Sequence, residues 1–201
     1  MPKLQKKKYS KQLQVAIWHI SETVDELLEL FVVKGFDAKK IITTKSETRL
    51  KQWLAVRLLL HDFYPNEAIN YNEFGKPFLT NGVEISISHA GEYAVIAFNA
   101  EKKCGIDIEK ISKKVEKIKH KFLNNNELDV VNSLEDLTLF WCAKEALYKL
   151  YGEKELIFNE QLLLEIASAN VLKGTIKVEE KMEHHQLVSE KIDDYLLVYT
   201  I

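Results

Sequence analysis

The sequence predicts an α+β fold made of two similar halves in one chain, residues 1–103 and 104–201, related by a pseudo-twofold. Three observations carry this expectation. A strand at 13–20, a helix at 44–60 and strands at 83–99 are echoed about ninety residues later by a strand at 104–109, a helix at 133–151 and strands at 162–200. The echo is one of element order, since the halves share no sequence identity. The stretch after each helix turns to short apolar runs separated by turn residues, which reads as antiparallel strands. Finally, 201 residues with 46% apolar side chains suffice to bury a sizeable core.

Residues 1 to 12 are polar and basic, and read as a frayed end or the approach to a first strand. Leu13 to Ile20 alternates as a strand does. Thr23 and Glu26 then form a capping box for a helix carrying Leu27, Leu28, Leu30 and Phe31, closed by Gly35. Thr44 and Glu47 are read as the cap of a second helix reaching about Leu60. Its inner side holds Leu50, Trp53, Leu54 and Leu58, with Arg49 and Arg57 at the flanks. From Tyr71 come a Gly75-Lys76-Pro77 turn, an Asn81-Gly82 hairpin signal and strands at 83–88 and 93–99. A polar turn at 101–103 leads into a strand at 104–109. Residues 111–131 read as a basic and then mixed stretch, in which Phe122 and Leu123 are either a docking spot or core. The helix ending at Tyr151 is marked at both ends, by a Ser133-x-x-Asp136 box and by Gly152. Phe140, Ala143, Leu147 and Leu150 line its core side, while Trp141, Glu145 and Lys149 follow one another along a second face. Strands at 162–167, 175–179, 186–189 and 195–201 complete the chain.

With 28 Lys and Arg against 30 Asp and Glu, the formal charge of −2 provides no global field toward nucleic acid or a membrane surface. Any phosphate binding must be local. Cys104 and Cys142 are isolated, each in an apolar element, and make neither a disulfide framework nor a metal motif. No apolar segment follows the basic start, and no run approaches the ~18 apolar residues of a membrane span. The sequence therefore predicts a cytoplasmic protein.

Taken alone, Glu145 and Lys149 are an ordinary intrahelical ion pair worth about 0.2–0.5 kcal/mol. A second clue comes from Gly105-Ile106-Asp107-Ile108-Glu109, where alternation puts two carboxylates on one face of a strand, about 6.6 Å apart. Such a pair is either a solvated strand end or the seat of a cation. A hard, oxygen-seeking Mg²⁺ fits, because it keeps waters and takes further ligands from a phosphorylated substrate.

Gly105-Ile-Asp-Ile-Glu-Lys110, followed by Trp141-Cys-Ala-Lys-Glu-Ala-Leu-Tyr-Lys149, resembles the two signature motifs of the 4′-phosphopantetheinyl transferases, in their larger type built of two similar halves. Gly75-Lys76-Pro77 and Ser86-Ile87-Ser88-His89 resemble that family's coenzyme A contacts. Phe122-Leu123 with Glu127 resembles its Phe-Phe-Ser-x-x-Glu element. The likeness spans roughly residues 70 to 152. This sequence departs from the pattern with Cys142 where serine is usual, Leu123 where a second phenylalanine is usual and Asn124 where serine is usual.

The resemblance implies the two-half fold, with a coenzyme A-binding N-terminal half and a metal-binding, catalytic C-terminal half. It also implies an activity: transfer of the phosphopantetheine arm of coenzyme A to a serine of an apo acyl or peptidyl carrier protein, releasing adenosine 3′,5′-bisphosphate. Asp107, Glu109 and Glu145 would hold Mg²⁺, Lys149 would stabilise developing charge, and Glu145 or Glu127 would take the serine proton. Lys76, Ser88 and His89, with Arg49, would bind the 3′-phosphate and pyrophosphate. Lys144 is assigned to the surface ahead of the pyrophosphate. Lys113, Lys114, Lys117, Lys119 and Lys121 would steer an acidic carrier, with Phe122-Leu123 as its apolar anchor, and the protein would act as a monomer. A different Mg²⁺-dependent enzyme of nucleotide diphosphates would keep the carboxylates without needing Lys76 and Ser88-His89; a non-catalytic carrier-binding module would need only the 111–131 surface.

Overall fold

Two antiparallel sheets lie face to face, each with a long helix on its outer side, because their inner strands are apolar on both faces. The computed structural model describes residues 3–8, 12–153 and 155–201. The first sheet is built from β1 (Lys3–Lys8), β2 (Leu13–His19), β5 (Glu84–Ala90) and β6 (Tyr93–Asn99), in the order β1-β2-β6-β5. Between β2 and β5 run α1 (Val24–Val33), α2 (Glu47–Phe63) and a separate ribbon of β3 (Asn70–Tyr71) and β4 (Pro77–Phe78). After β7 (Ile106–Lys110) come three helices: α3 (Lys119–Phe122), α4 (Asn125–Val130) and α5 (Leu134–Tyr151). Then follow α6 (Phe158–Gln161), β8 (Leu162–Ser168), β9 (Val171–Val178), β10 (Lys181–Ile192) and β11 (Tyr195–Thr200). The second sheet has the order β7-β11-β10-β9-β8.

The period of two along each strand sorts side chains between layers. On β2 and β6, Ala16, Trp18, Ala94, Ile96 and Phe98 pack with Leu54 and Leu58 of α2. Val15, Ile17, Val95 and Ala97 point the other way, against Ile106, Ile108, Leu197 and Tyr199 of the second sheet. Leu164, Leu172, Leu187 and Val198 meet Phe140, Ala143 and Leu147 of α5. Consequently Asp107 and Glu109, alternating with Ile106 and Ile108, face α5.

The structure differs from the sequence reading at several elements. The basic start forms β1, paired antiparallel to β2 from Lys3 opposite His19. A lysine-rich edge strand has little apolar signal to read, since lysine there blunts association; positions 1, 2 and 9–11 of that stretch lie outside the described residues. Ser46, not Thr44, caps α2, accepting a hydrogen bond from Arg49 N–H at 3.3 Å. Gly82 does turn the chain, with φ 82°, but β4 pairs with β3 and not with β5, so no hairpin spans it. The stretch 111–131 is folded into short helices. Among the described residues, no helix is long and apolar enough to cross a membrane.

The outermost strands β5 and β7 meet through side chains. Ser86 Oγ accepts from Ile106 N–H at 3.0 Å, and Ser88 Oγ donates to Asp107 at 2.7 Å. On its other side β7 lies so close to α5 that a Cβ on Gly105 would stand 1.9 Å from the Ala146 carbonyl oxygen. Backbone cannot yield as a flexible side chain does. Gly105→Ala should therefore cost about 1–3 kcal/mol, toward the upper end, measured as a lowered urea midpoint at unchanged slope.

Candidate active site

The capping box of α5 is formed as the sequence indicates, with Asp136 N–H donating to Ser133 Oγ and Ser133 N–H to Asp136, both at 3.0 Å. Gly152 ends the helix with φ 75°. These boundaries set the rotation of the helix, so that Trp141, Glu145 and Lys149 lie along β7. Trp141 Nε1 donates to Glu109 Oε1 at 2.9 Å, and Lys149 Nζ to Asp107 Oδ1 at 2.6 Å. Lys149 thus reaches across to the strand instead of closing an ion pair with Glu145. Asp107 Oδ1 accepts from both Lys149 and Ser88, whereas Oδ2 is buried without a hydrogen-bond partner. An unpartnered buried carboxylate oxygen is costly, and its survival here asks for a ligand.

Crowding of the carboxylates shows in the raised pKa values of Glu145 and Glu109. Burial first, then the Asp107 charge and that of Glu109, push Glu145 up to about 7, against the opposing effect of Lys149. Glu109 is raised by burial and then by Asp107, with the Trp141 hydrogen bond and Lys149 working the other way. For Glu145 the folded state therefore binds its proton more tightly than the unfolded chain, for which about 4.3 is usual. Stability should then fall as pH rises between those values, and the contribution should be flat outside them. On the order of 3–4 kcal/mol rides on this group. Urea unfolding followed against pH should show the decline in the parent and a flatter profile in Glu145→Gln.

His89, exposed at the end of β5, is held below the usual histidine range by desolvation of its ring and then by the charges of Lys149 and Arg49, with Asp107 opposing. Arg49 and Lys149 thus place a cationic field around His89 that favours its neutral ring, beside the carboxylates, with the three side chains brought together from α2, β5 and α5. Ser88 is buried and spends its hydroxyl hydrogen on Asp107. Lys76 lines a cleft of about 270 Å³ with Tyr71, Phe74, Tyr148 and Lys149. Its ammonium, however, lies 3.4 Å from Glu84 Oε2 and 3.5 Å from the Leu150 carbonyl oxygen, turned to the protein.

Glu127 and Lys144 depart furthest from expectation. Lys144, assigned to the surface, is fully buried. Its Nζ donates to Glu127 Oε2 and the Phe122 carbonyl, both at 2.6 Å, and to the Phe158 carbonyl at 3.0 Å. Position 144 lies one turn from both Phe140 and Leu147, so helical spacing already put it on the core face. Glu127 accepts in addition from Leu164 N–H at 2.9 Å, and from Asn124 N–H at 2.9 Å within the capping box of α4. A carboxylate so fully bonded has no lone pair directed at solvent, which leaves Glu145 as the base candidate. Asn124 fills the capping role open to serine at that position. Phe122 and Leu123 are core residues, 1% and 2% exposed, and offer no apolar anchor to a partner. Lys113, Lys114, Lys117 and Lys121 are exposed around them. Cys104 and Cys142 are buried free thiols.

Among the described residues, no three His, Cys, Asp or Glu side chains form a ready-made metal cage. The donors at hand are all oxygen, with one buried Asp107 oxygen free and two neighbouring carboxylates raised in pKa. That set fits a hard divalent cation completed by water and substrate oxygens.

Residues 103–200 match the model of the 4′-phosphopantetheinyl transferase superfamily. Over these residues, just under half of its length, the chain is similar to that superfamily. They carry β7 and α5, and with them Asp107, Glu109, Glu145 and Lys149. A 4′-phosphopantetheinyl transferase gsp from Aneurinibacillus migulanus is 35% identical over 97 residues, covering 44% of this chain and 40% of that relative. The matched stretch thus spans less than half the length of either protein.

Proposed function

We propose that this protein transfers the 4′-phosphopantetheine arm of coenzyme A to a serine of an apo acyl or peptidyl carrier protein, releasing adenosine 3′,5′-bisphosphate, with Mg²⁺ as its metal. The observation that carries the reading is Asp107, fixed through one oxygen by Lys149 and Ser88 while the other is buried without a partner between α5 and β5. A Mg²⁺ ion held by Asp107, Glu109 and Glu145 would neutralise charge on the pyrophosphate as it is cleaved. Lys149 places a point cation beside Asp107, where charge develops on the leaving phosphate. Glu145, partly buried beside Asp107 and next to the place a metal-bound substrate would occupy, would take the proton of the attacking serine. Arg49 would supply the positive field for the 3′-phosphate, with guanidinium geometry suited to a phosphate fork, and His89 a ring N–H as hydrogen-bond donor.

The exposed lysines of 113–121 draw an acidic carrier to the side of the molecule where α5 begins, a rate effect that fades with salt. The two halves would supply internally what a single half needs from a partner, so one copy of the chain suffices. The test is incubation with coenzyme A, Mg²⁺ and a panel of apo carrier proteins, read by intact mass. A gain of one phosphopantetheine on at least one carrier, lost on chelation, is expected. Coenzyme A left unconsumed with every carrier would overturn the reading.

A further inference from the structure

The β3–β4 ribbon belongs to neither large sheet, and a lone two-stranded ribbon is marginal in water. Yet its Tyr71, Phe74 and Lys76 form one wall of the cleft, opposite Ile87 of β5 and Tyr148 and Lys149 of α5. Its turn is well fixed. Asn72 Oδ1 accepts from Phe74 N–H at 3.0 Å and Lys76 N–H at 2.8 Å, and Asn72 N–H donates to the Lys76 carbonyl at 3.0 Å. The backbone of Lys76 is thereby set, and its stem runs to the end of α5 directly over Gly152. A Cβ on that glycine would stand 2.3 Å from Lys76 Cδ. Gly152 thus serves both the left-handed end of the helix and the passage of the lysine. The ammonium stops 3.5 Å from the Leu150 carbonyl oxygen, in the last turn, and 3.4 Å from Glu84 Oε2. Last-turn carbonyls lack intrahelical donors and carry the negative end of the helix dipole, so a cation is favoured there.

We infer that Lys76 is a strap and not a phosphate ligand: it fastens the ribbon to the C-terminus of the helix bearing Glu145 and Lys149, and so sets the width of the cleft. The link to coenzyme A rests on the proposed function, whereas the strap itself does not. Lys76 is in these terms a positioning residue, acting through the ribbon.

Hydrogen exchange in the ligand-free protein tests the strap alone. Lys76→Met should speed exchange of the amides of residues 70–78 by about tenfold or more, with β6 unaffected and Lys76→Arg close to the parent. Gly152→Ala, which displaces the lysine stem, should speed the same amides with Lys76 still present, and should add nothing to them in the Lys76→Met background. Calorimetry with coenzyme A and its 3′-dephosphorylated form then separates the two roles. A strap predicts that Lys76→Met weakens both ligands by the same factor, while a phosphate contact predicts loss for coenzyme A alone. Unchanged ribbon exchange in Lys76→Met, or a loss confined to coenzyme A, overturns the inference. Should the parent bind neither ligand, the proposed function fails and the exchange arm still decides the strap.

Discussion

Asp107→Asn should lower turnover in the proposed phosphopantetheine transfer by about 10²–10³-fold while leaving the protein folded. The substitution keeps the shape of the side chain and an acceptor for Ser88, but removes the charge that holds Lys149 and the free oxygen offered to a cation. Two effects on stability oppose each other. The 2.6 Å bond to Lys149 is weakened, and the repulsion that Asp107 exerts on Glu109 and Glu145 disappears. The melting temperature should consequently move little. With the Asp107 charge gone, Glu145 should titrate below its parent value of about 7, because that charge is the largest cause of its raised pKa after burial. Steady-state kinetics and a carboxylate titration followed by NMR check both halves of the expectation. Parental turnover in the variant would remove Asp107 from the chemistry.

The largest effect on stability is expected at Lys144. Lys144→Met leaves Glu127 buried without its counter-charge, and strips the Phe122 and Phe158 carbonyls of a donor. Removing one partner of such a pair costs about 3–5 kcal/mol, mostly the penalty of the abandoned charge. Lys144→Met combined with Glu127→Gln should recover a large part of that loss, since the amide carries no charge to desolvate and still accepts from Leu164 N–H. Urea unfolding of the two singles and the double gives the coupling directly. If the effects simply add, the pair does not hold the segment from α3 to α4 as its geometry implies.

Both helix termini of α5, the inward face of Phe140, Ala143 and Leu147, and the shared face of Asp107 and Glu109 were legible because each follows from local periodicity or capping chemistry. What stayed hidden depends on contacts between segments distant in sequence. That Ser88 donates to Asp107 follows from two edge strands meeting, which no local pattern specifies. Lys144 shows a different failure. Its helical position pointed inward, but its charge argued for solvent, and only the convergence of Glu127 with two carbonyls decides that contest. Phe122 and Leu123 read ambiguously because their neighbours are basic and exposed, while α5 and the second sheet bury both. Lys76 reads as a phosphate contact in sequence, and nothing in a turn motif reveals that the end of another helix lies within reach of its ammonium.

The meeting of β5 and β7 through two serine hydroxyls has a consequence for how the protein could be divided. A continuous ladder would weld those strands whatever their side chains, whereas here registration hangs on Ser86 and Ser88 and on the apolar layer behind them. Residues 101–103, just upstream of Gly105, are exposed. A polypeptide severed there would carry Ser88 and His89 on one fragment and Asp107, Glu145 and Lys149 on the other. Reaction rate would then report the concentration at which two pieces find each other, turning a seam inside one molecule into a reporter of encounter between two.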